Sequence, residues 1–519
     1  DTKNATYQGT VALQNFDVGK LIGTSTVGKV STTLKVDGRG FDQKSLNTNL
    51  VAALESLEFN GYKYTNINVN GIFKFPVFNG QLIADDPNLK MEFDGLIDMS
   101  TEQNTYTFYA DVEYAELNKL NLFKRDSISI FTGIIAMDMK GTDIDNLDGT
   151  VRISQSTYQN ESEDYYFDDI LVLSSFDEDL RTIEINSPDI VTGKMTGHFK
   201  LAELPDLFQN AIASIYANYE PKVVTTNQFL NFNFEIQHTI VEIFLPNIKF
   251  GQNTFVRGSV ASDESKFKLN FRTPSIMVYG NYFDKVNLQM DNSNPLFNTY
   301  VEIDSINAGF YALKNFNLIN VTLKDTLHIR TEFDGGRTNM EDKFNLSLYH
   351  TINPMGKSVV GFKKSDFILK ENLWYINEKN DSLTRITFDN NFKDIHLDTL
   401  VISHQNEFIH ASAKVSDSTF KDIRLQFTNV DLGKLTPEMD SIDIGGIING
   451  KLDVLQENQL YYPNSNVTIS DLEVNENLLG DLVMMVTGNQ DLTAYDINTT
   501  LTNDNLKSLD VQGKIEVKD

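Results

Sequence analysis

Between Thr65 and Ser100 apolar and polar residues alternate in two runs. In the first, Ile67, Val69, Phe73 and Phe75 alternate with Asn66, Asn68, Asn70 and Lys74, and Gly71 falls on the apolar side. The turn residues Asp85, Asp86, Pro87 and Asn88 follow. The second run sets Leu89, Met91, Phe93, Gly95, Ile97 and Met99 against Lys90, Glu92, Asp94, Asp98 and Ser100. Successive strand side chains point to opposite faces, so the pattern predicts a sheet with one apolar and one wet side.

The same alternation returns along most of the chain. Phe108, Ala110, Val112 and Tyr114 share one face; Met195, Phe199 and Leu201 oppose a solvated row of Lys194, Thr196, His198 and Lys200. Phe232, Phe234 and Ile236 follow, then Phe267, Leu269 and Phe271, then Phe344, Leu346 and Leu348, then Ile423, Leu425 and Phe427. A glycine followed by alternating apolar positions recurs at Gly9, Gly71, Gly149, Gly197, Gly450 (with Leu452 and Val454) and Gly513. Its spacing is irregular, which excludes a strict short-period solenoid, and each glycine suits a bend at the start of a strand. Leu46, Leu50, Leu54 and Leu57 fit a helix face, but their flanks favour strand. Some 30 to 40 strands at ~4.8 Å each would stack into an array on the order of 140 to 190 Å long.

One helix is predicted, from about Pro205 to Tyr219. Leu204, Leu207, Phe208, Ala211, Ile212, Ile215, Tyr216 and Tyr219 follow the i, i+3, i+4, i+7 rule, Pro205 suits a first turn and Pro221 a stop. The polar stretch Lys222 to Gln228 reads as a joint. Two β segments result, residues 1–224 and 225–519.

Composition narrows the function classes. With 519 residues, 35 Phe and 20 Tyr, the chain has enough apolar material for continuous structure, and its length exceeds a single-core domain. A formal net charge of −28 argues against nucleic acid and against adhesion to anionic headgroups. Cysteine is absent, which removes disulfides, thiolate zinc sites and thiol nucleophiles. No apolar run approaches the ~20 residues of a spanning helix. Asp1 opens directly into strand-like sequence at Thr6 to Leu13, as an internal fragment of a longer protein would.

Candidate chemistry is sparse. His198, His238, His328, His350, His396, His404 and His410 show no zinc spacing and read as strand histidines. Gly23 to Gly28 fits neither a nucleophile elbow nor a phosphate loop. Asp143 to Gly149 faintly resembles a calcium loop but lacks its closing glutamate, and Glu161, Glu163, Asp164, Asp168 and Asp169 read as a solvated acidic loop. Paired glycosidase carboxylates are not distinguishable among acids that occupy nearly every polar face. No metal or cofactor is expected.

A one-sided antiparallel sheet must cover its apolar face with a second sheet, helices, its own closure or a ligand. One helix cannot cover this length. Tandem sandwiches would need compact units of ~100 residues with clear linkers, and only one joint is visible. The remaining solution is a sheet folded across its width into a trough. Its exposed apolar lining would be a liability unless functional. Acyl chains suit it, because they require a greasy lining rather than specific polar contacts. Leu207, Phe208, Ile212 and Ile215 would then form a local lid or partition, the alternative being a helix that caps one end of a sheet.

The strand motifs carry a family resemblance. Gly9 to Gly23, Tyr62 to Gly71 with Asp86-Pro87-Asn88 after it, Ser187-Pro188-Asp189 leading to Gly193 and the Pro205 helix, Phe362 to Asn377 around Trp374, and Gly445 to Gly450 resemble the TamB branch of the AsmA-like proteins in its Bacteroidota form. The resemblance implies an all-β, U-shaped (β-taco-like) rod with an apolar inner groove, in a periplasmic protein that conducts phospholipids. It also implies an N-terminal inner-membrane anchor, not visible in this sequence, and a C-terminal contact with an Omp85-type outer-membrane barrel. The expectation is a non-enzymatic lipid conduit supporting outer-membrane biogenesis. A scaffold or chaperone-like role in outer-membrane protein assembly by strand addition is the rival, and a β-rich polysaccharide-binding protein or enzyme is a third.

Overall fold

In the computed structural model the chain is almost entirely antiparallel β-sheet. The structure describes residues 5–40, 46–74, 76–214, 221–237, 240–245, 247–263, 266–307, 311–336, 341–435, 442–458, 460–488, 494–504 and 506–516. It packs as two units, residues 1–208 with 223–264, and residues 209–222 with 265–519. Among the described residues no helix is long and apolar enough to cross a membrane.

In the first unit the long strands pair in chain order, from Thr6–Asp17 and Val27–Arg39 through Val191–His198 and Phe229–Ile236 to Thr254–Ala261, the last pairing skipping the three-residue strand Ile248–Phe250. The ambiguous stretch around Leu50 is strand Asn47–Phe59. It joins Tyr62–Lys74 through Asn60 and Gly61, both at positive φ (49° and 75°). Such a two-residue turn matches the twist of the strands it connects. Pro87 and Asn88 make the predicted turn between Val77–Asp86 and Leu89–Asp98.

The second unit is a meander of the same kind with one elaboration. Between strands Asp342–Ile352 and Asp394–His404 two short hairpin-like pairs lie end to end. Ser358–Phe362 pairs with Arg385–Phe388, and Ser365–Leu369 pairs with Asn372–Ile376. Together they fill the length of one long strand.

Helix Leu204–Ala213 begins one residue before the predicted start and follows a 3-10 turn at Leu201–Glu203; the predicted continuation through Ile215, Tyr216 and Tyr219 lies outside the described residues. Three short helices, Val18–Ile22, Ile240–Phe244 and Leu432–Leu435, were not predicted. Each spans five residues or fewer, too short for an amphipathic period to register.

Asp86 ties the first unit's turns together. Its carboxylate, 1% exposed, accepts hydrogen bonds from Tyr62 Oη (2.6 Å), from Thr65 N and Oγ1 (both 2.8 Å) and from Asn88 N (2.8 Å). Burial pushes its pKa up, but the bonds from Tyr62, Asn88 and Thr65 outweigh it and hold the group below the ordinary 3.8. A carboxyl depressed on folding contributes stability above its unfolded pKa and loses it as pH falls through the folded value. Unfolding midpoints across pH 2 to 7 should therefore show an acid limb below about pH 4 that Asp86→Asn flattens. The same substitution should cost about 2–3 kcal/mol at neutral pH, since an amide cannot accept all four bonds.

Candidate functional site

Directly opposed residues on paired strands share a face, so the register converts single-strand alternation into rows that cross the sheet. One row in the first unit runs Val11, Leu34, Ala52, Val69, Leu82, Phe93, Ala110, Ile135, Ile153, Ile170, one residue from each of ten successive strands and every one apolar. The adjacent row runs Gly9, Val36, Leu50, Gly71, Gly80, Gly95, Phe108, Met137, Val151, Val172, Ile185, Gly193, Phe234, Val256. Across fourteen strands it contains nothing but apolar residues and glycine. On the opposite face the corresponding row begins Thr10, Lys35, Val51, Asn70, Gln81, Asp94 and is mixed.

Exposure separates the two faces. From Val36 to Val256 every member of the glycine-bearing row is half-buried, whereas Val51 and Ile72 on the polar face are 52% and 48% exposed. The apolar rows are flanked by their own neighbours but not sealed as a close-packed core would be.

The glycines mark a crease. A Cβ built on Gly71 would lie 2.8 Å from the Gly80 Cα, one on Gly95 2.5 Å from the Phe108 Cα, and one on Gly193 2.7 Å from the Phe234 Cα. Ordinary cross-strand Cβ atoms stand ~4.5–5.5 Å apart. At these positions the backbone of the next strand occupies the space a side chain would need, and only a residue without one fits. Phe78 and Phe93 meet across the Gly80–Gly95 gap at 6.5 Å, and Phe93 contacts Phe108 at 5.1 Å.

Protein covers the face at two places in this unit. The connection between strands Thr105–Glu116 and Ile130–Lys140 folds back so that Leu120, fully buried, joins Tyr64, Ile67, Ala84, Val112 and Ala115 in one cluster. Asp126 fixes that connection: it receives both guanidinium bonds of Arg125 (2.6 and 2.8 Å) and the Tyr158 hydroxyl (2.6 Å). The Tyr158 pKa is pushed up to about 12 by burial and by that carboxylate. At the other place Phe208, on the helix, stands edge-on to Phe232 at 5.4 Å, and Leu207 is buried.

In the second unit a comparable row runs Ile402, Ile409, Phe427, Gly450, Val467, Met484. A second joins Ala411, Leu425, Leu452, Ser465 and Val486. Phe316, Phe333, Phe344 and Phe367 stack in sequence at 5.8, 4.6 and 5.9 Å, and Phe367 pairs in register with Trp374. Trp374 is sealed in a cluster with Val430, Ile448 and Val467, against which Leu432 and Leu435 of a short helix pack. Lys434 of that helix donates to buried Glu407, which also accepts from Asp431 N at 2.8 Å.

No family model, curated protein or solved structure matches the chain. Geometry alone therefore carries the functional reading. Val69, Phe73, Leu89, Met91, Phe93, Ile97, Phe108, Met195, Phe234 and Ile236 sit half-buried on the first unit's apolar face; Leu269, Phe271, Phe344, Leu346, Leu348, Leu425, Phe427 and Leu452 sit likewise in the second, with Ile423 and Val454 more open.

Several predicted lining positions are placed differently. Ile67, Val112, Phe199, Phe232 and Phe267 are buried, because a folded-back connection, a guanidinium (Arg181 over Phe199), the helix or neighbouring side chains cover them. Leu201 belongs to the 3-10 turn rather than a strand. Ile212, expected in the lid, is 44% exposed, since Leu207 and Ala211 hold the buried side of the helix. Phe75 and Ile215 lie outside the described residues. Sequence reasoning missed Leu34, Leu82, Ile135, Ile153 and Ile185, whose alternation is visible, and Leu120, which no period announces. Among the described residues no group of acidic or histidine side chains could hold a metal ion; Asp169 is engaged by Arg152 at 2.8 Å and Glu161 by Ser127.

The crease predicts a contrast between two glycines of one row. Gly95→Val should destabilise the protein by about 2–3 kcal/mol, the usual cost of forcing atoms into occupied space. Gly9→Val, whose Cβ meets nothing within 4 Å, should leave the unfolding midpoint unchanged.

Proposed function

We propose that the protein is a non-enzymatic conduit for phospholipids, whose acyl chains lie along the apolar face of a folded, trough-like sheet while headgroups stay at its open edge. The row from Gly9 to Val256 supports this reading. It is continuous over fourteen strands, free of polar side chains and, from Val36 onward, half-buried. A continuous apolar surface this long would invite aggregation without an occupant. Its uniformity suits a flexible hydrocarbon chain better than a ligand recognised by fixed polar contacts. The crease at Gly71, Gly80 and Gly95 favours a face that is concave on its apolar side.

Under this proposal the protein works in the periplasm, continuous with an inner-membrane anchor outside this sequence, and delivers lipid toward an outer-membrane barrel of the Omp85 type. The acidic surface, with net charge −28, keeps it from adhering to anionic bilayer faces along its length.

Phe93 and its neighbour Glu92 provide the test. Phe93→Glu should cost about 1–2 kcal/mol, as the loss of a half-buried ring does, and should remove bound phospholipid and transfer between vesicles. Glu92→Gln, on the wet face, should change neither. Thermal unfolding and mass spectrometry of co-purified lipid read both effects. A folded Phe93→Glu protein that keeps its lipid overturns the proposal, outright unfolding indicates a closed core, and a native protein without phospholipid favours the scaffold role.

A further inference from the structure

The apolar face of the second unit carries a polar island distinct from its isolated polar positions such as Ser465. Strand Ala312–Leu323 places Leu318, Asn320 and Thr322 on the face shared with Phe271, Leu288 and Val301. Next to it, strand Thr326–Gly336 sets Thr331 opposite Leu318 and Ile329 opposite Asn320. Thr322, two residues along the strand, and Thr331, on the diagonal, are thus same-face neighbours of Asn320, each ~7 Å away between Cα atoms, and Thr299 lies directly opposite it.

Their polar atoms have no protein partner. Among the described residues seven buried side-chain nitrogen or oxygen atoms lack one, and four of them are here: Nδ2 and Oδ1 of Asn320, Oγ1 of Thr322 and Oγ1 of Thr331. Asn320 is 3% exposed and Thr331 7%. A fraying strand is not the cause, because Asn298 N donates to the Asn320 carbonyl at 2.8 Å and Thr322 N donates to Asn298 Oδ1 at 2.6 Å. Burying such groups unpaired is costly. Leucine or valine would fill these positions without that cost, as they do at Leu288, Val301 and Leu346 alongside.

The island is neutral. No charged residue occupies the same face of the strands that contribute it, and His350 in the adjoining row is held below its ordinary pKa by burial. An anion would find no countercharge there. A neutral acceptor with an apolar body on either side would satisfy the amide and both hydroxyls, and rotation of the half-buried Leu318, Ile329 and Leu348 side chains would admit it.

We infer that Asn320, Thr322 and Thr331 form a subsite for the ester carbonyls of a diacyl glycerolipid, a polar station on a largely apolar track. The inference rests on the proposed lipid-conduit reading and adds what that reading lacks, a place where the lipid's linkage chemistry is sensed. The Asn320 amide and the two hydroxyls donate to the carbonyls, while the acyl chains continue over Leu318, Leu346 and Leu348.

Ester- and ether-linked dialkyl phosphatidylcholines with identical chains test it, because the ether lipid lacks only the carbonyls. The full chain should bind the ester lipid about 5- to 10-fold more tightly, as one or two net hydrogen bonds give. Asn320→Leu/Thr322→Val/Thr331→Val should bind both equally, with ether affinity unchanged. Thr331→Val alone, nearly isosteric, should lose part of the preference and serves if the triple variant does not fold. Equal binding of both lipids by the native chain overturns the subsite and leaves the conduit standing. A preference that survives the substitutions overturns it as well. Binding of neither lipid is a failure of the conduit reading itself.

Discussion

Register is the constraint on which this structure depends. Side chains alternate with a period of two, so a slip of one residue between two strands would turn a whole apolar set to the wet face. The row from Val11 to Ile170 stays apolar only because nine successive pairings keep the same phase. Irregularities are absorbed without breaking it. Where the first two strands shift between Leu13 and Phe16, Asn15 takes a φ of 48°, and the extra residue restores the phase before Phe16 meets Val30. Gln155 does the same at 50° beside the shift between Thr132 and Ile134. Bulges of this kind bend and twist a sheet while keeping its faces distinct.

The polar face holds the register from the other side. Arg152 grips Asp169 with two bonds of 2.8 and 2.9 Å across adjacent strands, and Gln81 donates to Asp94 at 2.9 Å. Each contributes little alone in water. Acting across a directly opposed pair (Gln81 and Asp94) and across a diagonal (Arg152 faces Leu171, Asp169 faces Ser154), they reward the correct phase and penalise its neighbours.

Stronger polar contacts concentrate where backbone leaves the ladder. Asp86 gathers a tight turn, Asp126 pins a folded-back connection over Tyr158, and Glu407 anchors a four-residue helix through Lys434 and the Asp431 amide. In each case a buried carboxylate satisfies donors that strand pairing cannot reach, which is what buried polar groups require. These anchors decide where the apolar face is covered and where it stays half-open. Among the described residues, the polar island around Asn320 is where several buried polar atoms gather without such satisfaction.

Much was legible in the residues themselves. Alternation in Ile67 to Phe73 and Leu89 to Ile97 determined strand identity, and with it a two-faced sheet, because period-two patterning is a local property. The turn at Pro87-Asn88 and the start of the helix near Pro205 were equally local. Only the tertiary structure decided which strands' apolar residues become one row, since that depends on pairing partners far apart in sequence. Only it showed that Ile67 and Val112 are sealed beneath Leu120 while Phe93 is not, because the covering residue lies in an irregular connection with no period to read. The repeated glycine read locally as a bend; whether a neighbouring strand's backbone occupies the space beside it, as at Gly71, or stands clear, as at Gly9, is set by the strand alongside.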